Sequence, residues 1–332
     1  MDLKADHRSL VQWYKKNQRA LPWRESKDPY RIWLSEVMLQ QTTVVAVIPY
    51  FERFLKKFPR LKNLAEAPEA DVLEAWAGLG YYSRARNLHK AAKALHAGGF
   101  PETAAELLEL PGFGPYTSRA VASIAFGEKV GVLDGNVIRV LSRKYGISLD
   151  WWTPKGRLQL QKISDDMALH GQADFLNQGL MELGATVCTP QRVLCLMCPW
   201  ASSCVAREQN LIEALPVKKP RKKSEVWVWQ PTVTIKDQKV ALITNDYAPF
   251  LKGQMIFPGQ IAKEKNKPKA YDAKHNITHH DIFIQITRKK ANSSRENNIK
   301  LKPVTWVALK DLKKINPSSL LQKVLAKVDD GS

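Results

Sequence analysis

The chain has 332 residues with 51 Lys and Arg against 32 Asp and Glu, a formal net charge of +19 and a pI near 9.7. No apolar run approaches the ~20 residues of a membrane span, and the polar start, Met1–Gln12, lacks the apolar core of a signal peptide; a soluble, intracellular protein is expected, cytoplasmic if bacterial. The length suggests two domains, and the charge calls for an acidic partner, nucleic acid first. Residues 218–332 hold 24 Lys and Arg against 10 Asp and Glu, net +14, while residues 1–217 hold 27 against 22, net +5.

Residues 1–100 read as helices. Leu10 to Tyr14 begin a short one, and Leu21-Pro22-Trp23-Arg24 breaks it. After Asp28-Pro29-Tyr30, Arg31 to Thr43 places Ile32, Glu36, Leu39 and Thr43 on one helical stripe. Glu36 is the anomaly there. A carboxylate facing a core costs several kcal/mol unless paired or protonated, so Glu36 is either salt-bridged or functional. Pro49 to Phe58, Ala70 to Gly78 and Leu88 to Leu95 continue as helices. Between the last two lies Gly78-Leu79-Gly80-Tyr81-Tyr82-Ser83-Arg84-Ala85-Arg86. Its tyrosines and arginines suit an exposed aromatic edge beside phosphate contacts, or two aromatics packed between helices.

Thr103 to Glu109 is helical. Leu110-Pro111-Gly112-Phe113-Gly114-Pro115 is a turn, Thr117 to Phe126 is helical again, and Leu133-Asp134-Gly135-Asn136 ends in a loop carrying a carboxylate. In such a hairpin Gly112 and Gly114 allow close backbone approach. The free N–H groups opening the second helix suit a phosphate. A plain helical hairpin is the other reading. Val137 to Tyr145, Leu158 to Leu169 and Ala173 to Gly184 complete an all-α region.

All four cysteines follow as Cys188-x6-Cys195-x2-Cys198-x5-Cys204. Four thiolates in one short loop point to a metal centre rather than a disulfide scaffold. Tetrahedral zinc and a [4Fe–4S] cluster both use four Cys, and the uneven spacing favours the cluster. Pro216 to Lys223 is a basic, proline-containing linker. Beyond it Val226 to Ile235, Lys239 to Thr244, Asp281 to Thr287 and Val304 to Ala308 read as strands, and Ser318 to Val328 as a closing helix: a second, α+β domain.

In order along the chain, SEVMLQQTT (35–43), GLGYYSRARNLHKAA (78–92), LPGFGPYTSRA (110–120), LDGNVIRVLSR (133–143), MELGA (181–185) and the cysteine loop resemble the adenine DNA glycosylases of the MutY family, within the helix-hairpin-helix, endonuclease III-like superfamily. The resemblance covers residues 1–215 closely and the remainder more loosely. It implies a mainly α helix-hairpin-helix glycosylase domain over 1–215 with a [4Fe–4S] cluster loop, a basic linker over 216–225, and a smaller α+β Nudix-like domain over 226–332 that recognises 8-oxoguanine.

The implied activity is removal of adenine mispaired with 8-oxoguanine or guanine in double-stranded DNA, by a monomer, with the adenosine flipped out of the stack. Cleavage through an oxocarbenium-like transition state favours two carboxylates. Glu36 matches the general acid and Asp134 the carboxylate that stabilises the sugar cation, expected to stay ionised, with Asn136 bonding in the site. Tyr116 stands where strand-cleaving relatives carry a lysine; it cannot form an imine, so a monofunctional enzyme leaving an abasic site is expected. Trp23, Arg24, Leu39 and Glu182 match the adenine pocket. Gln41 and Tyr81 match side chains that enter the base stack, and Gly112 and Gly114 the phosphate-cradling hairpin. Cys188, Cys195, Cys198 and Cys204 match the cluster ligands. His275 to His280 resembles the 8-oxoguanine recognition loop, with Thr278 keeping the hydroxyl and His279 the imidazole. No acidic helix follows Gln254–Gly259, which argues against pyrophosphate hydrolysis. The competing readings are a thymine- or pyrimidine-specific glycosylase of the same superfamily and a non-catalytic iron–sulfur DNA-binding protein.

Overall fold

The structure, a computed structural model, describes residues 1–220, 223–288, 304–316 and 318–329; Arg221 and Lys222 of the expected linker lie outside the described residues. The chain divides into two compact units, Met1–Pro220 and Arg221–Ser332. Among the described residues no helix is long and apolar enough to cross a membrane.

The first unit is built from α1 (Leu3–Asn17), α2 (Pro29–Leu39), α3 (Val44–Lys57), α4 (Leu61–Glu66), α5 (Glu69–Ala75), α6 (Tyr82–Gly98), α7 (Ala104–Leu108), α8 (Pro115–Ala125), α9 (Gly135–Tyr145), α10 (Pro154–Ala168), α11 (Ala173–Thr186) and the short α12 (Val205–Glu208). Side chains that cannot continue a helix start several of them. Asp28 accepts from the Tyr30 N–H with Pro29 next to it, Thr43 caps α3, Thr153 caps α10, and Asp134 caps α9. Such caps are each worth about 1 kcal/mol. The centre of the unit is α2, whose residues from Ile32 to Met38 are all buried. It packs on α8 and α3, and Trp33 stacks on Phe113 of the hairpin with ring centroids 5.3 Å apart and planes 11° apart. That contact fixes the α7–α8 turn beside the stripe carrying Glu36.

Three helices start well before their sequence signals. α1 starts at Leu3, seven residues before Leu10, because Asp2 caps it by accepting from the Ala5 N–H. α6 starts at Tyr82 rather than near Leu88. α3 runs through Pro49 instead of starting there. The proline removes a hydrogen bond to the Val45 carbonyl, but Val45 is 82 % exposed, so water can satisfy that group.

The second unit holds two mixed-length sheets and a helix. β1 (Glu225–Val233) lies between antiparallel β5 (Gly259–Glu264) and parallel β7 (His280–Ile284); β6 (Ala273–Ile277) pairs with β7, and the short β8 (Thr287–Arg288) with β1. β3 (Lys239–Thr244) pairs with β2 (Ile235–Lys236), β4 (Met255–Ile256) and β9 (Thr305–Ala308). The helical turn α13 (Leu312–Ile315) and α14 (Ser319–Asp329) follow. Trp229, Phe257, Ile282, Ile284, Leu320 and Leu321 form a core separate from that of the first unit. The segment His275 to His280, expected as a loop, is mostly strand: His275 faces Ile282 and Ile277 faces His280 across the β6–β7 ladder, leaving Thr278 and His279 as the turn.

Candidate active site

A cavity of about 720 Å³ opens in the first unit between α2, α8, the start of α9 and α11. It is within the size range of pockets that take a small ligand. Helical spacing explains its walls. Ile32, Ser35, Glu36 and Leu39 line it from α2, and Gln178, Met181, Glu182 and Ala185 from α11, each set on one face at steps of three and four.

Glu36 is buried, and its Oε2 accepts a 2.7 Å hydrogen bond from the Tyr116 hydroxyl, which also contacts the Met181 sulfur at 2.9 Å. Its partner is thus a neutral hydroxyl, not a cation, which settles the sequence alternative against a salt bridge. Burial raises the Glu36 pKa to about 7; the Tyr116 bond pulls it down, the Asp134 charge pushes it up, and Arg24 pulls it down. Glu36 and Asp134, far apart in sequence, line the same cavity. Burial, then Glu36 and Asp134, hold the Tyr116 hydroxyl well above its ordinary value, so it stays a donor.

Asp134 leaves the chain just before α9 and is its cap. Its Oδ1 accepts from the Val137 N–H at 2.7 Å and its Oδ2 from the Asn136 side-chain amide at 3.0 Å. Burial raises its pKa, while those bonds, the Asn136 N–H and the Arg139 charge oppose the rise by favouring the ionised form. Asn136 is held in turn. Arg139 donates to its Oδ1, to the Gly184 carbonyl and to the Cys188 carbonyl, each at 2.8 Å. A Cβ on Gly184 would lie 2.6 Å from the Asn136 Cβ, so only glycine lets α11 approach α9 here.

Trp23, Arg24, Leu39, Gln41, Gly112 and Gly114 all reach the same cavity. Glu182 is fully buried and accepts from Arg19 at 2.7 Å and Arg24 at 2.9 Å. Burial alone would raise its pKa, but the two guanidiniums hold it below the ordinary carboxylate range. Gly112 adopts φ 80° and leaves room for Asn87, whose Cβ a side chain there would meet at 2.7 Å; a Cβ on Gly114 would meet no atom of the chain.

Tyr81 is not among the cavity residues. It is half exposed at the start of α6 with φ 49°, and Gln41 has φ 57°. Non-glycine residues seldom adopt this left-handed backbone, and such strain gathers at functional sites. One side chain ties both segments. Arg84 donates to the carbonyls of Val37 at 2.9 Å and Met38 at 3.1 Å, to that of Gln40, and to those of Leu79 and Gly80 at 3.3 Å. Its guanidinium also lies 5.3 Å from the Tyr81 ring. Arg84 is thus taken up by carbonyls rather than left for phosphate, while Arg86 stays at the surface, paired with Glu69 at 3.5 Å.

The sequence reading gave no role to Arg19, Met181 and Arg139. Met181 could have been found by helical spacing around Glu182. The arginines carry no local signal, since their partners lie up to 163 residues away. Cys188, Cys195, Cys198 and Cys204 line one small cavity together with Arg143 and Arg207, and Arg143 Nη1 lies 3.4 Å from the Cys188 sulfur. In the second unit Thr278 and His279 form the β6–β7 turn, Thr278 exposed with φ 55° and His279 half-buried.

Residues 34–162 match the model of the HhH-GPD superfamily base excision DNA repair proteins. Proteins named adenine DNA glycosylase are similar over longer stretches. The rat protein is 44 % identical over 230 residues, 65 % of this chain and 45 % of its own length; the human one is 45 % identical over 60 % of this chain and 39 % of its own. The chain therefore spans less than half the length of these mammalian relatives. The protein from Buchnera aphidicola subsp. Schizaphis graminum is 32 % identical over 95 % of this chain and 96 % of its own. Among solved structures, a thermostable thymine-DNA glycosylase superposes with a TM-score of 0.57 at 27 % identity, covering 62 % of this chain and 97 % of that one. An endonuclease III–DNA complex superposes at 0.52 and 22 % identity, covering 64 % and 99 %, a likeness of fold. With a relative aligned almost end to end, the chain belongs to the adenine DNA glycosylase family.

Proposed function

We propose that this chain is a monofunctional glycosylase that removes adenine mispaired with 8-oxoguanine or guanine, leaving an abasic site. The observation that carries the reading is the pairing of Glu36 and Asp134 on one cavity in unlike environments. Glu36, raised to about 7, holds a proton at neutral pH and can deliver it to the adenine ring as the glycosidic bond breaks. Burial raises the Asp134 pKa on balance, but three hydrogen-bond donors and the Arg139 charge oppose that rise and support the charged form that would offset the oxocarbenium. Tyr116 donates to Glu36 and orients it. With a tyrosine at this position no imine forms and no strand is cut.

Trp23, Arg24, Leu39 and Glu182 shape the adenine pocket, with Glu182 fixed by Arg19 and Arg24. Gln41 and Tyr81 enter the duplex, and Gly112 and Gly114 lie against the backbone. The second unit, read as a Nudix-like domain, contacts 8-oxoguanine through Thr278 and His279. The partner is double-stranded DNA and the enzyme acts as a monomer.

The residues present suit a [4Fe–4S] cluster. Their thiols line one cavity, yet no three of them converge within 4.8 Å. A single zinc at about 2.3 Å from each sulfur would need sulfurs about 3.8 Å apart. Arg143 and Arg207 beside them offset the negative charge of a thiolate-bound cluster. Cys188, Cys195, Cys198 and Cys204 would hold it, and its contribution is to fix the loop that Arg139 and Arg143 grip.

The test uses duplexes carrying A opposite 8-oxoguanine, A opposite G, T opposite G, and thymine glycol, followed by hot alkali. Alkali-labile breaks on the A strand are expected, with no covalent product on borohydride trapping; an intact A strand would sink the proposal.

A further inference from the structure

Two imidazoles and a carboxylate converge in the second unit. In a regular strand consecutive side chains point to opposite faces. The left-handed φ of 55° at Thr278 takes His279 out of that alternation, and its ring lies 4.2 Å from the ring of His280. β1 runs parallel to β7 with Glu225 opposite His280, and Glu225 Oε2 lies 3.5 Å from His280 Nε2. One ligand atom from each of the three lies within 4.8 Å of the others; among the described residues this is the one group of His, Cys and carboxylate side chains that converges so closely.

The imidazole of His280 is poorly satisfied by the chain itself. Its side chain is 12 % exposed, Nδ1 is buried without a hydrogen-bond partner, and Nε2 sits at the edge of hydrogen-bond range from Glu225. Leaving such a group unpaired is unfavourable. Glu225 meanwhile accepts from Lys263 Nζ at 2.6 Å and from Trp227 Nε1 at 3.0 Å. The Lys263 side chain is 54 % exposed and free to swing away.

We infer that Glu225, His279 and His280 form a binding site for a divalent first-row transition metal of the zinc class, with Lys263 as the internal cation that the ion displaces. Two nitrogens and one carboxylate select such an ion over magnesium or calcium, which prefer all-oxygen sites. Metal–donor bonds of about 2.0–2.2 Å place donors about 3.4 Å apart, which small side-chain rotations reach from the present spacing. Three protein ligands leave a fourth position open to water or another donor. The ion would pin the Thr278–His279 turn, and the site requires nothing of the lesion-recognition reading.

Zinc is titrated calorimetrically into the full chain, its cysteine loop left as purified, with magnesium as control. Glu225→Gln and His280→Ala should weaken zinc binding by at least about tenfold, with visible absorbance of the cysteine-loop chromophore unchanged. Lys263→Met, which removes the competing ammonium, should keep or tighten it, an effect that misfolding cannot mimic. Zinc binding lost in Glu225→Gln and His280→Ala but kept or tightened in Lys263→Met supports the site; any other pattern overturns it.

Discussion

Glu36 carries the most direct consequences at the scale of single residues. As an acid it works protonated, so single-turnover adenine release should fall as pH rises through about 7. Rates that stay flat from pH 6 to pH 9 would remove it from that role. The same shift bears on stability. The folded-state pKa is raised from 4.5 to about 7, so Glu36 costs nothing below pH 4.5 and its cost grows until the pH passes about 7. Glu36→Gln should abolish excision, keep DNA binding, and leave the protein more stable than wild type at pH 8 by on the order of 3 kcal/mol, with no gain near pH 4. Melting curves at both pH values check it. Tyr116→Phe removes a bond that lowers the Glu36 pKa, so the falling limb of the rate profile should move to higher pH. Glu36 was legible in the sequence because a lone carboxylate on an apolar stripe violates a local rule. Arg84 was not. Its acceptors come from two separate segments, one of them some forty residues away, and nothing in Tyr81 to Arg86 distinguishes an arginine bound by carbonyls from one left for phosphate.

Among the elements, α9 joins the most. Its cap is Asp134, its first turn holds Asn136, and one turn on Arg139 reaches Asn136, Gly184 and Cys188, with Arg143 continuing to Thr189 and Leu215. Arg139→Ala should therefore cost about 2–4 kcal/mol of stability by leaving carbonyls unmatched, and should slow excision beyond what lowered stability explains. Excision equal to wild type at a temperature where both proteins are fully folded would contradict the coupling. The longer helices of the first unit were readable by period and cap, with errors at their ends, while the short α4 and α12 were not read. In the second unit the strand read at Asp281 to Thr287 is β7, but β5 and β6 were not read, and short strands such as β4 and β8 leave no alternation to count.

For the whole molecule, the two units have separate cores. A fragment of residues 1–220 should fold alone and still release adenine, while losing preference for 8-oxoguanine over guanine in the opposite strand; an unchanged preference in oligonucleotide assays would place recognition in the first unit. Because residues 218–332 hold most of the net charge, the fragment's binding should also depend less steeply on salt than that of the full chain.

Gln41 and Tyr81, the proposed wedges, stand in left-handed backbone with Arg84 bonded to both of their loops. Their shape is set before DNA arrives, so no ordering entropy is charged to each encounter. A protein moving along a duplex would then test every base pair with the same finished probe. Discrimination during the search passes to the DNA, to how readily a given pair unstacks when pressed.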